Sequence, residues 1–125
     1  MNTLVLLLNR DNAWSPEIWA TQHGGERGVG GQIMIECPSG WLSVLRDDRI
    51  FDEYDAAERS ELSAMLAEPK PFLLEWKGSD LVEALLRAVP LESGAVVDND
   101  YGLLVPIQAI RDLPLGSWVR ASKLP

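Results

Sequence analysis

Carboxylates are the only reactive groups that this chain holds in quantity, and most of its charge lies in the middle. Eight of them fall between residues 47 and 68, opposed only by Arg49 and Arg59, so this acidic segment accounts for −6 of the chain's net charge of −8. They are Asp47, Asp48, Asp52, Glu53, Asp55, Glu58, Glu61 and Glu68. A field of this sign repels nucleic acid and anionic lipid and attracts basic surfaces. We therefore expect neither a nucleic-acid nor a membrane partner.

Imidazole and thiol groups, which could bind a transition metal or act in catalysis, are scarce, because His23 and Cys37 are the only residues of their kinds. His23 and Glu26 have the spacing of a helical metal-binding pair, but Gly24 and Gly25 lie between them. Structural zinc needs four ligands, mostly nitrogen or sulfur, which this composition does not supply. We predict no catalytic residue, no bound metal and no other cofactor. We interpret His23 as a solvated or helix-capping residue.

Two segments have some features of ligand-binding loops but not their spacing. The sequence from Gly28 to Ile33 begins like a dinucleotide-binding fingerprint, yet Ile33 stands where the third glycine belongs. The sequence from Asp98 to Gly102 contains calcium-type ligands, but its glycine comes one position early for an EF-hand. We predict a mobile surface loop over residues 24–31 and a hairpin turn over residues 98–102. A recognition loop or a weak metal site is the alternative for the second segment.

The remaining candidates are two carboxylates in apolar strands and the tryptophans. Glu36 and Glu75 are interpreted as the outward residues of half-solvated strands, with an enzymatic carboxylate pair as the alternative. Most of the five tryptophans are expected in the core, while Trp14 and Trp41 adjoin loops and could anchor a partner. The predicted partner-binding residues are Asp47, Asp48, Asp52, Glu53, Asp55, Glu58 and Trp41.

Local patterns predict about six strands and three or four helices. The strands are expected at 3–8, 32–37, 41–46, 72–76, 95–97 and 103–105, and a further short one in the tail around Trp118. Ser15 followed by Pro16 predicts a two-turn helix, and Asp55 with Glu58 predicts a capping box for a helix to about residue 67. Further helices are expected over residues 80–89 and from Pro106 to about residue 113.

Length and composition indicate one α+β domain over residues 1–125, with a mixed, mostly antiparallel sheet. With 46% hydrophobic residues the chain can bury a real core. The apolar run from Leu4 to Leu8 is too short for a signal peptide, and a lone cysteine forms no intrachain disulfide. We expect a cytoplasmic protein.

Three hypotheses for function follow from these observations. The leading one is a non-enzymatic binding protein that covers a basic protein partner, such as a toxin or nuclease, with carboxylates. The alternatives are a small carboxylate-based enzyme or ligand-binding domain that uses Glu36, Glu75 or His23, and a homo-oligomeric structural or adaptor protein that buries its tryptophans. In size, charge and the segment from Val97 to Gly102, the chain resembles small acidic bacterial α+β proteins, among which immunity proteins of secreted toxins are frequent. No diagnostic motif assigns it to a family.

Overall fold

A computed structural model describes residues 2–125 and shows an α+β fold, in which seven strands form one open antiparallel sheet. The strands are β1 (Asn2–Asn9), β2 (Glu26–Arg27), β3 (Ile33–Cys37), β4 (Gly40–Arg46), β5 (Pro69–Lys77), β6 (Val96–Asp98) and β7 (Leu104–Pro106). The α-helices are α1 (Pro16–Gln22), α2 (Ala56–Met65) and α3 (Asp80–Ala88). Segments of 3-10 helix occupy Asp48–Glu53, Leu91–Ser93, Ile107–Ala109 and Leu115–Ser117. The sheet order is β2-β3-β4-β5-β1-β6-β7, so the predicted fold class is confirmed.

The apolar run near the N-terminus forms an interior strand, as predicted. β1 lies between β5 and β6 and pairs with both in antiparallel register. All five residues from Leu4 to Leu8 are buried, because elements pack on both faces of the sheet at this strand. A strand that is covered on both faces favours a continuous apolar run over an alternating one.

The helix starts are also where the sequence predicts them. The Ser15 hydroxyl accepts a hydrogen bond from the Ile18 amide, and Pro16 is the first helical residue of α1. At α2 both bonds of the capping box are present: the Glu58 amide donates to the Asp55 carboxylate, and the Asp55 amide donates to the Glu58 carboxylate. These side chains satisfy amide groups that would otherwise lack partners in the first helical turn.

The sheet has two faces of different character. The sealed face carries Leu4, Leu6 and Leu8 of β1 and packs against α1, α3 and the C-terminal tail in the larger hydrophobic cluster. The half-open face carries Val5 and Leu7 and packs against α2 and the 3-10 segment before it. That segment contributes the side chains of Ile50 and Phe51. The acidic segment is therefore attached to the half-open face.

The glycine-rich region is more regular than a surface loop. Residues Glu26–Arg27 form β2, which pairs with Met34 and Ile33 of β3. The Gly28 amide donates to the Gln32 carbonyl at 2.7 Å, and the Arg27 guanidinium donates to the Gly31 carbonyl at 2.7 Å. The prediction of a surface loop over residues 24–31 is wrong at Glu26–Arg27, because pairing with β3 satisfies backbone groups of a two-residue strand that has no apolar pattern of its own.

Two further expectations fail near helix and chain ends. The helical spacing of Leu62, Met65 and Leu66 predicts that all three face inward, but Met65 is 38% exposed, whereas Leu62 and Leu66 are buried. The chain turns into extended backbone at Leu66, so only part of the predicted stripe faces the sheet. The tail forms a 3-10 turn at Leu115–Ser117 where a short strand was expected. Trp118 itself is 1% exposed, as expected for a core tryptophan.

Candidate functional site

The first two carboxylates of the acidic segment have cationic partners within the chain. The Arg49 guanidinium donates to Asp47, with Nε 3.0 Å from Oδ1, and Arg46 lies 3.5 Å from Asp48. The hydrogen bond from Arg49 holds the pKa of the Asp47 carboxyl below its usual range. A carboxylate that already has an arginine partner has less to gain from a second cation, so these two predicted contacts are the weaker ones.

The other arginine of the acidic segment does not neutralise a carboxylate. The guanidinium of Arg59 donates to two backbone carbonyls, those of Phe51 at 2.9 Å and Tyr54 at 3.0 Å. It thereby ties the 3-10 segment to α2. Within residues 2–125 no ion pair involves the carboxylates that remain, which are Asp52, Glu53, Asp55, Glu58, Glu61 and Glu68.

An acidic cleft of about 180 Å³ lies between α2 and the turn that follows β6. Four of its lining side chains are carboxylates, and Tyr54, Gly102 and two leucines complete it. The carboxylates are Glu58, Glu61, Asp98 and Asp100, and none has an ion-pair partner in the described part of the chain. The fold therefore brings the acidic segment together with the 98–102 turn, two regions that sequence reasoning treated separately.

A tyrosine joins the two sides of this acidic cleft. The Tyr54 hydroxyl donates to Asp98 Oδ2 at 2.6 Å, and Asp98 Oδ1 accepts the Asp100 amide at 2.8 Å. Burial, followed by the hydrogen bond to the Asp98 carboxylate, raises the pKa of Tyr54 well above its usual range. Tyr54 therefore stays a neutral donor into the alkaline range, where an ordinary tyrosine would ionise. Sequence reasoning missed it, because no local pattern pairs residues 44 positions apart.

The turn beyond Asp98 is held by a buried amide. Asn99 is 0% exposed, and its Oδ1 accepts the amides of Tyr101 at 2.9 Å and Leu103 at 3.1 Å. Its Nδ2 donates to the carbonyls of Trp118 and Ala121, both at 2.8 Å. The predicted hairpin turn is confirmed, and the same side chain also fastens the C-terminal tail. The carboxylates of this turn are consequently presented by a fixed backbone.

Trp41 lies apart from the acidic carboxylates. It is at the start of β4, in register with Glu36 on one side and Lys77 on the other. Strand rise places it about 20 Å from Asp47, at the opposite end of the same strand. The structure therefore divides the predicted partner-binding residues into an acidic group around α2 and a separate tryptophan on the half-open face of the sheet.

The candidates for an enzymatic site do not meet in a cleft. The His23 Nδ1 lies 2.8 Å from the Trp19 carbonyl, and the imidazole stacks on the Trp19 indole at 4.2 Å, so His23 caps α1 as predicted. Glu36 is exposed and Glu75 partly exposed on the half-open face. None of the five clefts described for residues 2–125 is lined by any of these three residues.

Cys37 belongs to a short hydrogen-bonded chain at the β3–β4 turn. Its Sγ lies 3.1 Å from the Ser39 hydroxyl, which donates to Asp80 Oδ2 at 3.0 Å. The hydrogen bond with Ser39 lowers the pKa of the Cys37 thiol. This chain joins the turn to the start of α3, and a structural role accounts for all three side chains.

Neither a metal centre nor a membrane-spanning helix is found in the part of the chain that the structure describes. Over residues 2–125 no three His, Cys, Asp or Glu side chains are grouped closely enough to hold a metal ion, so the four carboxylates of the acidic cleft do not converge on one point. No described helix has the length and apolar character needed to cross a bilayer. Comparisons with protein-family models, curated proteins and solved structures find no match to this chain.

Proposed function

We propose that this protein is a non-enzymatic binding protein that docks a basic protein partner through the acidic cleft and the adjoining carboxylates of α2. One observation carries the proposal: four carboxylates line a cleft of about 180 Å³, and the cations nearest in sequence, Arg49 and Arg59, are engaged elsewhere. Uncompensated charge costs stability through self-repulsion. A complementary surface that binds there offsets that cost.

The acidic cleft offers different acceptors for the arginine or lysine side chains of a partner. Glu61 accepts no hydrogen bond in the described structure, so both of its oxygens are open to a bidentate guanidinium. Glu58 uses one oxygen for the capping box, and Asp98 is held by Tyr54 and the Asp100 amide. A bound cation would therefore meet one adaptable carboxylate and two that are already oriented.

Outer carboxylates act at longer range. Asp52 and Glu53 are exposed on the 3-10 segment beside α2 and extend the negative field away from the acidic cleft. Such charges accelerate association more than they strengthen the final complex, and salt screens them. A nuclease or other toxin with a basic active surface fits this chemistry. The carboxylates that attract such an enzyme would also cover the surface on which it binds its substrate. The proposal therefore includes the role of an immunity protein that neutralises such a toxin.

The test neutralises two carboxylates of the acidic cleft and one outer carboxylate beside it, and compares this variant with equal neutralisation elsewhere. The site variant is Asp52→Asn with Glu58→Gln and Glu61→Gln, and glutamine at 58 can still form the capping box. The control variant is Asp11→Asn with Glu92→Gln and Asp112→Asn, which removes three exposed carboxylates from other elements. Association rates are measured with the partner captured from native cells, at about 50 mM and about 500 mM salt.

We expect the site variant to associate at least tenfold more slowly at low salt, and the difference to shrink at high salt. The control variant should lose much less, although its net charge is the same. Equal losses in the two variants would show that only overall charge matters, and unchanged association in the site variant would contradict the proposal.

A further inference from the structure

Among residues 2–125, no helix or loop covers half of one sheet face. On the half-open face, α2 and the 3-10 segment before it pack over Val5 of the interior strand. Met34 of β3 and Trp41 and Leu45 of β4 lie on the same face by strand alternation, and all three are partly exposed. Over residues 2–125 none of the three joins either hydrophobic cluster.

These three side chains form one continuous patch. Trp41 and Leu45 lie two residues to either side of Ser43 on β4, and Met34 lies opposite Ser43 on β3. Neighbours at these positions on one face of a sheet are in or near contact distance. Ser43, at the centre, is 9% exposed, although no described helix packs on this part of the face. The apolar side chains around it therefore already exclude most water.

The dimensions of the uncovered patch suit one helix. Three strands, β2 to β4, span about 10 Å at the usual strand spacing, and the seven residues of β4 are about 23 Å long. A helix with its side chains is about 10–12 Å wide, and about 15 residues cover that length. α2 packs on the other half of the same face, so a second helix beside it would complete the layer.

The charge at the patch selects the kind of helix. Three carboxylates lie on this part of the face, those of Glu26, Glu36 and Glu75, against the single ammonium of Lys77. None of the four forms an ion pair among residues 2–125. A second copy of a chain with a net charge of −8 would bring like charges together, so self-association is disfavoured.

We infer that the uncovered half of the half-open face docks a basic amphipathic helix of the partner. Its apolar side packs on Met34, Trp41 and Leu45, and its lysines or arginines reach Glu36 and Glu75. The inference rests on the proposed function, since it supplies the second contact surface of the same basic partner. Trp41 then acts as an aromatic anchor of the contact.

Two synthetic probes separate this inference from the proposed function. The first is a 15-residue peptide, roughly one patch length, of leucine and lysine with the leucines at helical spacing. The second is an oligolysine of equal length, which carries charge but no apolar side. Amide and indole signals of nitrogen-15-labelled protein report where each probe binds. We expect the amphipathic peptide to shift the Trp41 indole and the amides of β3 to β5, and oligolysine to shift α2 and the 98–102 turn.

Variants then test the contacts. Trp41→Thr and Leu45→Thr should each weaken the amphipathic peptide at least tenfold and leave oligolysine unchanged. Leu91→Thr is the matched control, because Leu91 is 45% exposed and lies outside the patch, and it should change neither. A peptide with the same composition but leucines at alternate positions should also bind at least tenfold more weakly.

Several outcomes would overturn the inference. It fails if the amphipathic peptide leaves β3 to β5 unshifted in the wild-type protein, which needs no variant to fold. It fails equally if sedimentation shows a dimer that Trp41→Thr dissociates, since a second copy would then be the occupant. Oligolysine that does not bind at α2 would contradict the proposed function, whatever the amphipathic peptide does.

Discussion

The two faces of the sheet differ in how their apolar side chains are covered. The sealed face meets α1, α3 and the tail, and its cluster includes the large buried residues Phe72, Leu85 and Trp118. The half-open face meets one helix and one 3-10 segment. Its cluster, which includes Leu7 and Tyr54, contains fewer buried residues than that of the sealed face. Stability is concentrated on the first face and uncompensated charge on the second.

Because of this difference, the sealed face mainly stabilises the fold, and the half-open face is available for binding. Burying apolar area is the main source of folding free energy, and the sealed face contributes most of that area. The half-open face carries the acidic segment and the patch around Trp41. Substitutions on the two faces should therefore have different consequences: lost stability on the first and lost binding on the second.

The largest effect is expected where the tail is fastened over the sealed face. Asn99→Ala removes four hydrogen bonds to backbone groups, two of which hold the tail at Trp118 and Ala121. Because buried backbone groups would lose their partners, we expect the free energy of unfolding to fall by roughly 4 kcal/mol. Urea denaturation measures this. Asp100→Gly is the control: its φ is 64°, which glycine adopts freely, so stability should stay the same or rise.

A pair of leucines on one strand tests the comparison directly. Leu42 faces the sealed side and is 0% exposed, whereas Leu45 faces the uncovered half of the other side and is partly exposed. We expect Leu42→Ala to cost about 3 kcal/mol, because it leaves a cavity in a packed core, and Leu45→Ala about 1 kcal/mol or less. Thermal or urea unfolding of the two variants is the measurement. Equal costs would mean that both faces are equally packed and would remove the basis for a docking patch.

Tyr54, which lines the acidic cleft, should make the free energy of unfolding depend on pH in the alkaline range. Below pH of about 10 the tyrosine is protonated in both folded and unfolded chains. At higher pH the unfolded chain loses this proton while the folded chain keeps it, since burial and Asp98 raise the pKa of Tyr54. Stability should then decline by up to about 1.4 kcal/mol per pH unit.

Tyr54→Phe should lack this part of the alkaline decline and, at neutral pH, lose about 1.5 kcal/mol with the hydrogen bond to Asp98. Urea unfolding between neutral pH and pH of about 11 measures both effects. Tyr101→Phe is the control, because Tyr101 is 53% exposed and should leave the alkaline decline as it is in the wild type. An identical decline in Tyr54→Phe and wild type would contradict the assignment.

The smallest expected effect is a gain in stability. Glu61 shares the acidic cleft with three other carboxylates and has no ion pair among residues 2–125. Glu61→Gln should raise the free energy of unfolding by a few tenths of a kcal/mol, since it relieves repulsion in the absence of a partner. High salt should erase the gain. A loss of stability would indicate that Glu61 has a structural partner and is not held ready for a ligand.

Much of the fold could be predicted because its signals are local. Ser15 with Pro16, and Asp55 with Glu58, satisfy amides within their own helical turns, so spacing alone identifies the helix starts. The run from Leu4 to Leu8 indicates an interior strand, because only a strand covered on both faces favours consecutive apolar residues. In each case the interacting groups are close neighbours along the chain.

The candidate site could be predicted only in part. The acidic segment is visible as composition, but its pairing with Asp98 and Asp100 depends on α2 lying beside the turn that follows β6. The opposite error occurred at residues 24–31, where glycine content indicated a loop and the neighbouring strand β3 imposed pairing on Glu26–Arg27. Long-range contacts decided both points.

The sequence by itself therefore determined the helix caps, the hairpin turns, the interior strand and the negative field, since each depends on residue types within a few positions or on their sum. Tertiary structure decided which charges are compensated, because Arg59 reaches backbone carbonyls and leaves Glu58 and Glu61 without an ion pair among residues 2–125. It also decided that Trp41 lies about 20 Å from Asp47 along one strand. Sheet order and the positions of helices on each face are set by packing between distant segments. That packing depends on residues throughout the chain, so no local pattern predicts it.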